Sequence, residues 1–569
     1  MIVESARKVR QLAADPVLRR WLARRALGAA VAPPPFEAHR PPYLSGFAVP
    51  DAEKPAPPRP FRGLAAPPPD RPIRLPLPGL CLDLAPGGES GLYASTFADV
   101  ETLLALHRFA WLPLVAEGAE KASWFAALWA EWRRRFARPD ASWAWHPYTA
   151  AERAINILDF AGRHGLPEPV EDTVLLLARH AAAIHARLEY FGEHDTSNHL
   201  ANNGRGLFRV GLALGLAPAA EAGAAILLNE AGRIFLPSGV LREGSSHYHL
   251  LLARTYADAW LAARRHRHGA EAALRAIAAK AFAVTPRLTL AGGLPLIGDV
   301  SPDCPPEFLA AGGGWSAALP DDERAALKTL IEAAAPPAPE ALAGDGWLRL
   351  DAGPWSGLWH CPPAGWPPMP GHAHQDLGGC ELHVDGVPVL VDPGRGRYGD
   401  SGEAALYRSG RVHNTLLVDG RDPYPPNKPY YDDAFRARVV PAPPRITATD
   451  DRVTVIHHGF RRLKGVGALE RGWRLGARGV AVEDRLAGYG RRLIIRQVVT
   501  PFEAEEMPGG VLLKGAARKL WLSAGYAAKM SVKPVTLWRA YGQGRPGRLI
   551  EFVERASLPW SGRMTLEIS

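Results

Sequence analysis

The stretch Gly371-His372-Ala373-His374-Gln375-Asp376-Leu377-Gly378-Gly379-Cys380 leads into Glu381-Leu382-His383-Val384, then Asp385-Gly386, then Val387-Pro388-Val389-Leu390-Val391-Asp392. Two apolar runs flanking Asp-Gly predict an antiparallel hairpin, because that dipeptide tolerates the positive φ angles of a two-residue turn. Pairing Val384 with Val387 sets Asp392 opposite Gly379, near where the histidine segment enters the first strand. Gly378-Gly379 lets that segment bend, so that His374 folds back towards Asp392. Downstream, His413-Asn414-Thr415-Leu416-Leu417-Val418-Asp419-Gly420 reads as another strand closing on Asp-Gly, which brings His413 to the same end of the sheet. His374, Asp392 and His413 then form a metal-ligand set, with His372 spare beside it. Two imidazoles and a carboxylate suit Zn2+, with Mn2+ or Ca2+ as alternatives.

The hairpin belongs to a region whose period is two. After Gly346, the runs Arg452–His457, Gly479–Asp484, Leu493–Val499 and Val511–Leu513 alternate or run apolar between Asp-Asp, Gly and Pro breaks, which predicts a β-sandwich. Upstream the period is that of helices. Asp99–Leu114, Ser123–Phe136, Ala150–Arg163, Glu171–Phe191, Ala219–Phe235 and Ser246–Arg265 carry apolar residues at three- and four-residue intervals. Short breaks such as Gly165-Leu166-Pro167 separate them, giving helix pairs in a bundle or a ring. The expected organisation is a basic, Pro-rich arm over 1–95, a helical domain over 96–340 and a β domain over 341–569.

Composition fits a multidomain enzyme. A chain of 569 residues with 47% apolar content exceeds one ordinary core. Cys81, Cys304, Cys361 and Cys380 are scattered and form no CxxC, so free or buried thiols are expected. The net charge of +9 is concentrated at the start, with +7 in residues 1–75 and +2 in the rest. Together with Pro33-Pro34-Pro35, Pro57-Pro58 and Pro67-Pro68-Pro69, that reads as a solvated tether rather than a nucleic-acid arm. No run approaches a membrane span. Arg24-Arg25 interrupts the apolar stretch of Met1–Ala32, no export signal is read, and a cytoplasmic location is expected. Gly394, Gly396 and Gly399 match the dinucleotide fingerprint, but they follow a strand of an antiparallel hairpin, and the 13 residues before His413 barely allow a parallel crossover, so nucleotide binding is set aside.

In the helical half, Asn198-His199 lies in a polar stretch between helices, and Tyr248 sits in the first turn of the helix opened by Ser245 or Ser246. The helix dipole there modestly favours phenolate. Trp145, Tyr148 and Arg153 form an aromatic-plus-cation cluster, with Asn202 and Arg205 as further candidates to contact substrate; Asp299 reads as a turn anchor.

The run HAHQD, the hairpin ending VLVDPG and the segment YRSGRVHNTLLVDG resemble the C-terminal half of the heparinase II/III-like polysaccharide lyases. Upstream, Trp145-His146-Pro147-Tyr148 with Arg153, Ser197-Asn198-His199 with Asn202-Asn203-Gly204, and Glu243-Gly244-Ser245-Ser246-His247-Tyr248 are similar to motifs of that family in the same order. The resemblance implies an incomplete (α/α) toroid followed by an antiparallel β-sandwich. It implies β-elimination of a uronate glycan by Asn198, His199, Tyr248 and His372, with a metal at His374, Asp392 and His413 bracing the loop of His372. Some relatives carry a glutamate where this chain has Asn202. Two other functions are weighed against the lyase: a zinc-dependent glycan hydrolase or esterase, and a non-catalytic glycan-binding protein of exopolysaccharide assembly. Neither the particular glycan nor the oligomeric state is legible.

Overall fold

The computed structural model describes residues 40–50, 55–192, 196–310, 312–363, 371–425, 439–525 and 528–569, with isolated positions at 23, 26–28, 38 and 437. The stretch read for an export signal, Pro33-Pro34-Pro35 and Glu193-His194-Asp195 fall largely or wholly outside these. Among the described residues, the regular elements from Glu89–Ala94 to Pro339–Gly344 are nearly all helices, and those from Trp347–Ala352 onward are nearly all strands.

Capping sets the helices that matter for the site. Ser197 closes the start of Asn198–Leu214 by accepting the His199 backbone N–H at 3.2 Å, so Asn198 and His199 open a helix rather than lie between two. Ser245 accepts the Tyr248 backbone N–H at 3.0 Å and so starts Ser246–His266 with the phenol in its first turn. Asn198–Leu214 packs on Ala217–Ile234, and Ser246–His266 on Glu271–Leu288, as consecutive pairs. Part of the segment expected to be an extended arm is folded onto this body. Ile73–Leu77 pairs with Leu80–Leu84, and Ile73, Leu75 and Leu77 enter the same core as Trp124 and Trp129, because alternate strand residues face one side.

The C-terminal region holds two antiparallel sheets among the described residues. Trp347–Ala352, Trp355–His360, Cys380–Val384 and Val387–Leu390 make a four-stranded sheet; a ten-stranded sheet is built around Gly479–Thr500 and Gln543–Ile568. Trp355, Trp359 and Leu382 of the first share a core with Trp473, Val498 and Ile550 of the second. Gly479–Asp484 and Leu493–Val499, read as two strands, are one strand of 22 residues with a register shift between Leu486 and Gly490. Val384 does face Val387, and Asp385 and Gly386 have φ of 44° and 78°, but a bulge between Leu382 and His383 offsets the pairing beyond it. The strand after His413, Leu416–Val418, pairs with the long Gly479–Thr500 strand and not with the hairpin.

Helical and sheet regions are locked together close to the histidine segment. An apolar cluster joins Val240, Val284 and Ile297 to Trp347 and Leu358. The His372 N–H donates to the Glu243 carbonyl, and the Asp299 N–H donates to the His372 carbonyl, each at 2.9 Å. Such close backbone approach needs Gly244 (φ 70°) and Gly298 (φ 82°). A Cβ on Gly244 would lie 2.5 Å from the Ala373 methyl, and one on Gly298 would lie 2.7 Å from the His372 carbonyl. The loop carrying His372 is thereby fixed against the two loops that carry Glu243 and Asp299.

Candidate active site

Asn198, at its helix start, is clamped by buried Glu243. The carboxylate accepts the Asn198 backbone N–H at 2.9 Å and its Nδ2–H at 2.8 Å. Nδ2 also lies 3.1 Å from His372 Nε2, an imidazole contributed by the sheet region. His199 is held by Glu189, with Nδ1 2.7 Å from Oε1. Burial disfavours the His199 imidazolium, but the Glu189 charge more than offsets it and leaves the His199 pKa above its ordinary value. Burial works against the Glu189 carboxylate too, yet the neighbouring His199 charge holds its pKa down at about 2. The His199 side chain keeps 41% of its surface, so the imidazolium that Glu189 favours faces solvent. His146 lies 3.5 Å from the same carboxylate, and burial pushes it down to about 4, so it stays neutral.

Tyr248 and His372 stack face to face, with ring centroids 3.5 Å apart and planes at 14°. The phenol hydrogen-bonds the Tyr398 hydroxyl; the Tyr398 backbone N–H in turn donates to Tyr541, whose hydroxyl donates to Asp99. Burial pushes the Tyr248 pKa well above its ordinary value, even against the Tyr398 hydrogen bond. This corrects the expectation from the helix dipole: Tyr248 is a neutral phenol, because desolvating a phenolate outweighs the end of one helix. His372 Nδ1 lies 3.2 Å from Asp299 Oδ2. Arg395 reaches the Asp299 oxygens at 3.4 and 3.5 Å. Arg395 and Tyr398 both come from the glycine-rich 394–399 segment whose nucleotide-binding reading was set aside, and that loop instead supplies side chains to this cluster.

His374, Asp392 and His413 come together as predicted, each buried, with one potential ligand atom apiece within 4.8 Å of the others. Their surroundings fit a metal. His374 Nε2 faces Asp299 Oδ1 at 2.9 Å, and His413 Nε2 faces the Tyr407 carbonyl at 2.9 Å. The acceptors take a proton on Nε2 of each ring, so Nδ1 is the nitrogen each ring can offer to a metal. Among the described residues His374 Nδ1 is buried with no hydrogen-bond partner. His413 Nδ1 meets Asp392 Oδ2 at 2.9 Å. Burial opposes the His413 imidazolium, but the Asp392 charge raises its pKa to about 9, so a cation must displace a proton to bind there.

Several candidates lie elsewhere. Trp145 is fully buried, donating its Nε1–H to the Phe136 carbonyl, and Arg153 is fully buried between the Trp132 ring, His180 Nε2 and two carbonyls. They are core residues: Arg153 lies on the inward face of the helix Pro147–His164, and Trp145 ends the turn Trp143–Trp145 that packs beneath it. Arg205 is fully buried as well, paired with Glu152 at 2.9 Å and Asp258 at 2.6 Å, so its guanidinium is not free for a substrate carboxylate. Asn202 is buried beneath Tyr148, its Nδ2 3.5 Å from the Tyr148 carbonyl. Tyr148 does reach the cluster, its ring 4.6 Å from His199. Trp143, not singled out in sequence, is 50% exposed beside His146 and offers a flat ring near His199. Glu189, Glu243 and Tyr398 were missed too. Glu243 stood within a quoted motif, but nothing local shows that a carboxylate will be buried on an asparagine 45 residues away. All four cysteines are free.

Residues 334–552 match the family model Heparinase II/III-like, C-terminal. A solved heparinase III resembles the chain with a TM-score of 0.65 at 15% identity, over 84% of this chain and 78% of that one. A second heparinase III, with methylated lysines, gives 0.56 at 16% identity over 85% and 81%. A mutant heparan sulfate lyase from Pedobacter heparinus gives 0.52 at 17% identity over 83% and 78%. No curated protein matches the chain in sequence.

Proposed function

We propose that this chain, with its heparinase II/III-like C-terminal region, is a polysaccharide lyase that cleaves uronate-containing acidic glycans by β-elimination. The observation that carries this is the meeting of Asn198 and Tyr248 from two helix starts with His372 from the sheet region, at 3.1 Å and 3.5 Å. Elimination needs a neutralised uronate carboxylate, a base for the C5 proton and an acid for the leaving oxygen. Asn198 donates an N–H to the carboxylate, and His199 sets its imidazolium beside it. When the carboxylate takes the Asn198 hydrogen, the His372 Nε2 lone pair is released to remove the C5 proton. The C5–H electron pair forms the C4–C5 double bond as the C4–O4 bond breaks, and the neutral Tyr248 phenol gives its proton to O4. The exposed Trp143 ring offers a face for sugar stacking.

Zinc held by His374, Asp392 and His413 would supply a fixed charge that braces the segment of His372. His374 and His413 side chains are wholly buried, which favours a brace over a metal-activated water and so the lyase over a zinc hydrolase. Chelator-treated protein is therefore expected to melt at a lower temperature and to recover on addition of zinc, as a folded-state ligand requires. Equal melting with and without zinc would remove the brace.

The reading is tested by incubating purified protein with a panel of uronate polymers: heparan-type glycans, alginate and bacterial exopolysaccharide. New ultraviolet absorbance from unsaturated uronate ends is expected on one of them. Cleavage without that absorbance means hydrolysis, and binding without cleavage means a non-catalytic protein.

A pH profile tests His199. Its raised pKa means the imidazolium persists above the ordinary value of 6.5. Activity is expected to fall as pH rises through that raised value, and Glu189→Gln should move this alkaline limb to lower pH, because the main charge opposing burial is then gone. For stability the signs differ between the partners. The His199 contribution is full below 6.5 and lost above its folded pKa; the Glu189 contribution is full above 4.5 and lost as pH falls towards about 2. An alkaline limb unmoved by Glu189→Gln would remove His199 from the role.

A further inference from the structure

We propose that Asp299 is a positioning residue shared by the catalytic and the metal-ligating histidine, one carboxylate from the helical half setting the working nitrogen of both rings. This rests on the lyase function above and specifies how its base and its metal site are coupled.

Asp299 is buried, with Oδ2 3.2 Å from His372 Nδ1 and Oδ1 2.9 Å from His374 Nε2. Its backbone N–H donates to the His372 carbonyl at 2.9 Å, so main chain and side chain grip the same three-residue segment. Arg395, itself buried, balances the charge at 3.4 Å. An ionised carboxylate only accepts hydrogen bonds, so both ring nitrogens facing it carry hydrogens. The opposite nitrogens are then left with lone pairs. His372 Nε2 faces Asn198 Nδ2 in the reaction cluster, and His374 Nδ1 faces the metal group with no other partner among the described residues. His372 and His374 point to different sites, yet the same two oxygens decide which nitrogen each presents. Asparagine at 299 cannot do this. It has one acceptor oxygen, and its NH2 needs a lone pair from whichever ring it faces, so one ring turns a proton towards its own site.

The test compares Asp299→Asn with wild type on two readouts, zinc affinity by competition with a chromophoric chelator and steady-state elimination at saturating zinc. Zinc affinity is expected to fall by about 10–100-fold and kcat by about 10–100-fold, with KM changed less than about twofold. Asp299→Glu, which keeps two acceptor oxygens, is expected to retain more of both. If Asp299→Asn does not fold, Asp299→Glu carries the test: zinc affinity and kcat must fall together, by less than for a full loss of the carboxylate, with KM held. Loss of turnover with zinc affinity intact, or of zinc affinity with turnover intact, overturns the shared role. Absence of elimination by wild type on every uronate polymer sinks the lyase function instead, and the zinc affinity of Asp299→Asn still decides whether Asp299 holds His374.

Discussion

Tyr248→Phe is expected to lower kcat for elimination by about 10²–10⁴-fold, the usual worth of a positioned general acid, with KM close to wild type. The substitution removes one oxygen and keeps the ring, so the stacking on His372 at 3.5 Å survives. What is lost is the hydroxyl that meets Tyr398, and with it the proton for the leaving O4. Buried within the helix Ser246–His266, the phenylalanine ring fits the same space, and the thermal midpoint should move little. Tyr398→Phe makes a useful companion, since it removes the partner hydroxyl and leaves the acid in place. Its loss in kcat should be the smaller of the two. If Tyr248→Phe turns over a uronate polymer at wild-type rate, the acid is another group and the proposed chemistry is wrong.

Arg205→Ala is expected to cost stability rather than substrate affinity. Arg205 is fully buried and bridges Glu152 on the helix Pro147–His164 to Asp258 on the helix Ser246–His266. Asp258 also pairs with Arg209, so it keeps one cation, whereas Glu152 loses its ion-pair partner among the described residues. Breaking a buried ion pair by removing one member typically costs about 3–5 kcal/mol, chiefly because the partner charge stays buried without compensation. Unfolding of the full chain in urea, or the drop in thermal midpoint, measures this. KM of the folded fraction should be unchanged. A stable Arg205→Ala protein with a raised KM would return Arg205 to the substrate-binding role read from the sequence, against its burial.

Glu243 points to a third layer of the same logic, because two of the proposed catalytic side chains on the helical half, Asn198 and His199, each have their own carboxylate. Glu243 sets Asn198, and Glu189 sets His199. Such partners carry no sequence signal. Glu189 ends one helical run and Asp299 lies in a loop, and both look ordinary until the chain closes around them. The metal group was legible because its residue types are distinctive and its two Asp-Gly turns fix local geometry: Asp385 and Asp419 have φ of 44° and 54°. Even there the details moved. The hairpin bulge offset the register by one residue, and the strand after His413 joined the other sheet, yet the three ligands still converged because Asp392 and His413 flank the same loop.

The sequence by itself determined the helical-then-sheet order, the capped helix start that presents Tyr248, and the His374, Asp392 and His413 group. Periodicity, caps and turns are local forces, and they act over a few residues. Only the tertiary structure decided which face of each helix is buried, which removed Trp145, Arg153 and Arg205 from the surface and brought Trp143 to it. It also decided the ionisation of the site. Burial keeps Tyr248 a phenol and a distant carboxylate keeps His199 charged, because the desolvation of a group and the charges around it exist only once residues far apart in the chain are packed together.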